Sequence, residues 1–99
     1  MAFFSIYALD RRPDGPVIRA ETRPAHLEYL NRLGDQVKIA GPILAHDGET
    51  VAGSLLVIEA DTIEDAHIFA ENDPYAKAGL FVSTDVRPFK WVINAPETE

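Results

Sequence analysis

Gly53-Ser-Leu-Leu-Val-Ile-Glu-Ala60, running directly into Asp61-Thr-Ile-Glu64, decides how this chain folds. The first eight residues are rich in apolar and β-branched side chains and open on glycine, which reads as a strand. Leu55, Leu56, Val57 and Ile58 do not alternate with polar residues, so this strand is expected to be buried on both faces. Asp61-x-x-Glu64 then has the spacing of a capping box with Asp61 as cap, and it predicts a helix to about Asn72. Pro74 stops that helix, because it lacks an N–H and biases Asp73 away from helical angles.

Working outward, Phe3 to Leu9 reads as a first strand and Arg11-Arg-Pro-Asp-Gly-Pro16 as a loop. Thr22 or Arg23 is expected to cap a helix with Pro24 in its first turn, ending near Gly34 to Gln36. Val37 to Leu44 is a second strand, Asp47-Gly48 a turn, and Phe81 to Val92 a fourth strand. Residues 93–99 are expected to form a frayed tail on a single domain spanning 1–99. The order β-α-β-β-α-β predicts an α+β, ferredoxin-like fold: a four-stranded antiparallel sheet with both helices on one face. Pro42 and Pro88 agree with it, since strand order 4-1-3-2 puts the second and fourth strands at the edges, where proline is tolerated. One sheet face then lacks a cover. A homodimer packed sheet on sheet, a dimeric α+β barrel, would supply it. Burying several hundred Å² of apolar surface is worth on the order of 10 kcal/mol before association costs, at ~25 cal/mol per Å².

Composition narrows the partners. The 99 residues carry a net charge of −7, with 46% hydrophobic and 25% charged side chains. Residues 1–40 hold six basic and five acidic side chains, whereas 41–99 hold three and eleven. Such acidity repels phosphate backbones, so no nucleic acid is expected, and the acidic stretch Glu59 to Asp73 reads as a solvated helix face. The apolar runs are strand-sized, so no membrane span is expected. The N-terminus lacks the pattern of a secretory signal and there is no cysteine, which fits a cytoplasmic protein.

Two ionisable groups fall on faces that should meet the sheet. At about 100° per residue, His26 and Arg23 share an arc with Leu27, Leu30, Leu33 and Val37. Asp73 extends the stripe of Ile63, Ala66, Phe69 and Ala70. Read alone, each has a plain structural explanation, His26 as a core histidine and Asp73 as a helix stop. Together, one per helix on the same sheet face, they could meet in a cleft and form a general acid–base unit. His46 in the Asp47-Gly48 turn and His67 beside the second helix stripe are weaker candidates. The three histidines have no metal-ligand spacing, Ser54 lacks a nucleophile elbow, and the six glycines form no phosphate loop. No metal or cofactor is therefore expected.

These residues resemble the YciI-like (YCII-related) proteins. The resemblance rests on Arg23-x-x-His26-Leu27-x-Tyr29-Leu30, Ala40-Gly41-Pro42, Gly53-Ser54, the acidic helix start, Asp73-Pro74-Tyr75-x-x-Ala78-Gly79-Leu80 and Val86-x-Pro88-Phe89. It implies a ferredoxin-like dimeric α+β barrel with a His–Asp active site at His26 and Asp73. A related dehydrochlorinase of chlorinated-aromatic degradation, and the similar architecture of muconolactone isomerases, imply proton transfer, elimination or isomerisation on small cyclic or aromatic molecules. In that reading Arg23 binds a substrate carboxylate or phenolate, and Ser54 and Tyr75 line the pocket. Fold does not fix function, so a non-catalytic dimeric ligand-binding or accessory domain is the alternative. A monooxygenase of the same barrel type ranks below both. The discriminating observation is whether His26 reaches Asp73 beside a cavity.

Overall fold

The computed structural model describes residues 2–96. Its strands are β1 (Ala2–Asp10), β2 (Val37–Leu44), β3 (Val51–Ala60) and β4 (Phe81–Phe89). Its helices are α1 (Gly15–Leu33), α2 (Ile63–Asn72) and the short α3 (Pro74–Lys77), with a 3-10 turn at Gly34–Gln36. The sheet is antiparallel in the order β2-β3-β1-β4. This is the expected ferredoxin-like α+β arrangement, and Pro42 and Pro88 do lie on its edge strands.

Strands β1 and β3 extend one or two residues beyond their expected bounds, and three other boundaries differ, each for a local reason. Helix α1 begins seven residues before Thr22, because Pro16 occupies its first turn, where a missing N–H costs nothing. Pro24 therefore lies inside the helix. The carbonyl that loses its partner belongs to Ala20, which is exposed to solvent. Helix α2 is capped by Thr62 rather than Asp61: the Asp65 N–H donates to Thr62 Oγ1 at 3.1 Å. Strand β4 stops at Phe89, which pairs with Phe3 at the start of β1, so Trp91 has almost no strand left to pair with. Its indole N–H turns to the Ile93 carbonyl instead, at 2.8 Å. The expected tail is irregular up to residue 96, and 97–99 lie outside the described residues.

The core lies between α2 and the centre of the sheet. Phe4 and Ile6 of β1, Leu56, Ile58 and Ala60 of β3, and Ala66, Phe69 and Ala70 of α2 are all buried together. Helix α1 relates to this core differently. Its Tyr29, Leu30 and Leu33 lean on the core from the side, and the Tyr29 hydroxyl donates to the Phe69 carbonyl at 2.9 Å. Only Gly15 and His26 of α1 are buried, and Leu27, expected in its apolar stripe, is 44% exposed. The helix packs mainly on α3 and stands off the strands beyond it.

Strand β3 is covered on its helix side, but on the open side only in part. Val57 is buried there while Leu55 is exposed, along with Tyr7, Ile39 and Phe89. The close approach of β1 to β3 depends on Gly53, where a Cβ would sit 2.1 Å from the Ala8 carbonyl oxygen. We expect Gly53→Ala to cost about 3 kcal/mol, as overpacking against backbone does. Gly41→Ala, at a position with nothing within 4 Å, should change stability by no more than about 0.5 kcal/mol. Denaturant melts of the two variants check the difference.

Candidate active site

The site begins with how the chain leaves α2. Asp73, at φ −60° and ψ 128°, ends α2 and caps α3, and Pro74 fixes the turn between them. Its Oδ1 accepts the Tyr75 N–H at 2.9 Å, the usual duty of a capping aspartate. The same oxygen accepts the Nδ1–H of His26 from α1, also at 2.9 Å. A carboxylate can only accept here, so Nδ1 carries the proton and Nε2 is the ring nitrogen without one. Both residues are nearly enclosed, His26 at 8% and Asp73 at 4% exposed. The carboxylate that stops the helix is thus also the one that meets His26.

Tyr75 closes one side of the imidazole. Its ring stacks on His26 with centroids 3.9 Å apart and planes inclined by 17°. Burial raises the pKa of its hydroxyl, outweighing the pull of Arg19 and Arg23, so it stays a neutral phenol able to donate. The Arg19 guanidinium lies 4.7 Å from the centroid of the same ring. Arg19 donates Nε–H and Nη2–H to the two carboxylate oxygens of Asp10, at 2.9 and 2.8 Å. Its Nη2 also reaches Ser54 Oγ at 3.0 Å. Burial alone would lower the Arg19 pKa, but the bonds and charge of Asp10 hold it above its ordinary value.

These groups line a cavity of about 610 Å³ between α1 and the β2–β3 side of the sheet. It exists because α1 stands off the strands and β2 offers only Ala40, Gly41 and Pro42 there. Arg23 lines the cavity too, but it is exposed and makes no side-chain hydrogen bond or ion pair among the described residues. With Asp73 bonded to His26 behind the cavity lining, two guanidinium groups meet two carboxylates, so the charges of the site balance in a chain of net charge −7.

Of the residues singled out by sequence, the structure brings His26, Tyr75, Ser54 and Arg23 to the lining of this one cavity, with Asp73 bonded to His26 behind it. His46 and His67 are exposed elsewhere. Asp10 and Arg19 were not anticipated. Arg19 lies seven residues, two helical turns, before His26, and the early start of α1 is what would have revealed it. Among the described residues, no three histidine or acidic side chains converge as metal ligands do. No helix among them is long and apolar enough to cross a membrane.

Residues 3–90 match the model of the YCII-related domain. The chain belongs to the YCII-related family. A solved YCII-like neighbour is 5-chloro-2-hydroxyhydroquinone dehydrochlorinase from Burkholderia phenoliruptrix AC1100, in complex with 2,5-dihydroxybenzoquinone. It shares 39% identity with this YCII-related chain at a TM-score of 0.78, covering 89% of this chain and 93% of that one. Comparison with curated proteins gives no match.

The rim of the cavity includes Thr50, held by the hairpin between β2 and β3. Asp47 accepts the Thr50 hydroxyl at 2.6 Å and the Thr50 and Glu49 N–H groups at 2.9 and 2.8 Å. These bonds, the hydroxyl first, lower its pKa to about 2. Because the folded value is depressed, the stability it contributes is complete above its unfolded pKa, near 4, and disappears as pH falls through about 2. Asp47→Asn should therefore flatten the acid limb of the Tm–pH curve between about pH 4 and 2. Thermal melts across that range measure it.

Proposed function

We propose that this cavity is the active site of a cofactor-independent enzyme that moves protons on small acidic ring compounds, by elimination or isomerisation. The observation that carries the reading is the 2.9 Å bond from His26 Nδ1–H to Asp73, which leaves Nε2 as the base at the cavity wall. The neighbouring dehydrochlorinase, with a hydroxyquinone bound, supports this chemistry for a cavity of this family.

The roles follow from the geometry. His26 Nε2 takes a proton from a ring hydroxyl or from carbon beside a ring carbonyl. In an elimination, the electron pair from the broken C–H bond forms a ring C=C as the C–Cl bond breaks and chloride leaves. In an isomerisation, the same nitrogen returns the proton to another ring position. Asp73 holds the imidazole in the tautomer that keeps Nε2 free and stabilises the imidazolium that forms. Arg19, steadied by Asp10, and Ser54 face the developing oxyanion. Arg23 draws the anionic substrate in from the cavity mouth.

His26→Ala should lower turnover by about 10²- to 10⁴-fold, the usual contribution of general acid–base catalysis, with little change in KM. Asp73→Asn keeps an oxygen to cap α3, so it should fold and lose turnover while binding ligand normally. Chloride release from chlorinated hydroquinones and isomerisation of enols and lactones are the assays. Unchanged turnover in His26→Ala overturns the assignment. Ligand binding by wild type with no turnover of any of these compounds would favour the non-catalytic reading.

The open sheet face supports a second part of the reading, a homodimer. Tyr7, Leu55 and Ile39, with Phe89 toward one end, leave an apolar face that a copy of itself would cover. Wild type should sediment as a dimer at micromolar concentration. Leu55→Asp, which puts a charge at the centre of that face, should sediment as a monomer with its helix-side core intact. A monomeric wild type removes the dimer.

A further inference from the structure

We propose that the substrate carries an apolar extension, either a fused second ring or a short alkyl chain, and that Leu27, Leu30, Ala40 and Leu56 form its pocket. This rests on the acid–base reading above and goes beyond it in naming the substrate class.

The argument starts from the length of the cavity. Its α1 wall is Pro16, Arg19, Ala20, Arg23, His26, Leu27 and Leu30, an unbroken helical stripe. The fourteen steps from Pro16 to Leu30, at 1.5 Å each, give about 21 Å. One six-membered ring fills only a fraction of that length.

The two ends of the cavity differ in chemistry. Arg19, bonded to Asp10 and Ser54 and lying over Tyr75, marks one end. His26 lies two turns along the helix, and beyond it come only Leu27 and Leu30. The strand register repeats the division. Pro42 pairs with Ser54 at the polar end, and Ala40 pairs with Leu56 one strand repeat away. Leu56 is in the core beside the half-buried Leu30, so this part of the wall belongs to the apolar end.

That apolar end is unfilled by the protein itself. Leu27 is 44% exposed although it lines the cavity, and Ala40, on the strand side of the same cavity, is small and exposed. A ring with its acidic oxygens toward Arg19 and its reacting carbon at His26 would end there. Any apolar group on its far side would cover Leu27 and exclude water from it.

Calorimetric binding of two probes tests this: 2,5-dihydroxybenzoquinone, with one ring, and 2-hydroxy-1,4-naphthoquinone, with two. Wild type should bind the naphthoquinone at least about tenfold more tightly, since several more ring carbons leave water. Ala40→Phe, which fills the apolar end from an exposed edge strand, should cut that preference to within about twofold and leave benzoquinone affinity unchanged. Leu27→Asn, on the opposite wall and also exposed, should do the same, so the test does not depend on one variant folding. Equal wild-type affinities, or variants that weaken both probes alike, overturn the apolar pocket and leave the acid–base reading standing. If neither probe binds, both fall. A preference that is lost as expected, beside His26→Ala with full turnover, retains the pocket and removes only the assignment of the base.

Discussion

The structure depends on one carboxylate oxygen. Asp73 Oδ1 accepts from the backbone of Tyr75 and from the imidazole of His26, so a single atom joins the start of α3 to the middle of α1. The first bond is local and would form in almost any aspartate-proline turn. The second spans forty-seven residues of sequence and needs the whole sheet to place α1 beside α3. Because the first already fixes the carboxylate, aligning the pair costs little further side-chain entropy. Tyr75, held by the same turn, then stacks on the ring it helped to place.

The standing-off of α1 follows from the same geometry. A helix that packed flush on the sheet would bury His26 among leucines with no space beside it. Held out by α3, it instead leaves a cavity against β2. The sequence of β2 permits this. Ala40, Gly41 and Pro42 offer no bulk to fill the space, and Pro42 is tolerated because the strand is an edge. The core does not suffer, since α2 covers the centre of the sheet and Tyr29, Leu30 and Leu33 of α1 close it from the side.

Much of the fold was legible in the sequence because strands and breakers were written plainly. Leu55 to Ile58 marked the central strand, and Pro42 and Pro88 marked the edges. The pairing of His26 with Asp73 was legible as two polar residues on apolar stripes. Arg19 and Asp10 were not, because Pro16 and Pro24 are both plausible first-turn prolines and only the tertiary structure chooses between them. Placing the helix start at Thr22 removed Arg19 from the helix, and with it the residue that bridges the ends of β1 and β3. The apolar stripe of α1 has a similar limit. Its position on an amphipathic face told where Leu27 points but not whether anything stands opposite.

The exposed side of Leu27 has a thermodynamic consequence. A protein normally buries such a side chain against itself and counts the gain as part of its own folding. On the proposed reading, that gain is left for a ligand to complete. An occupant covering Leu27 would act as a last layer of the hydrophobic core, one that the chain does not encode. Holding the occupant and holding the fold would then be one coupled equilibrium, and melting temperature would rise with the occupant's concentration.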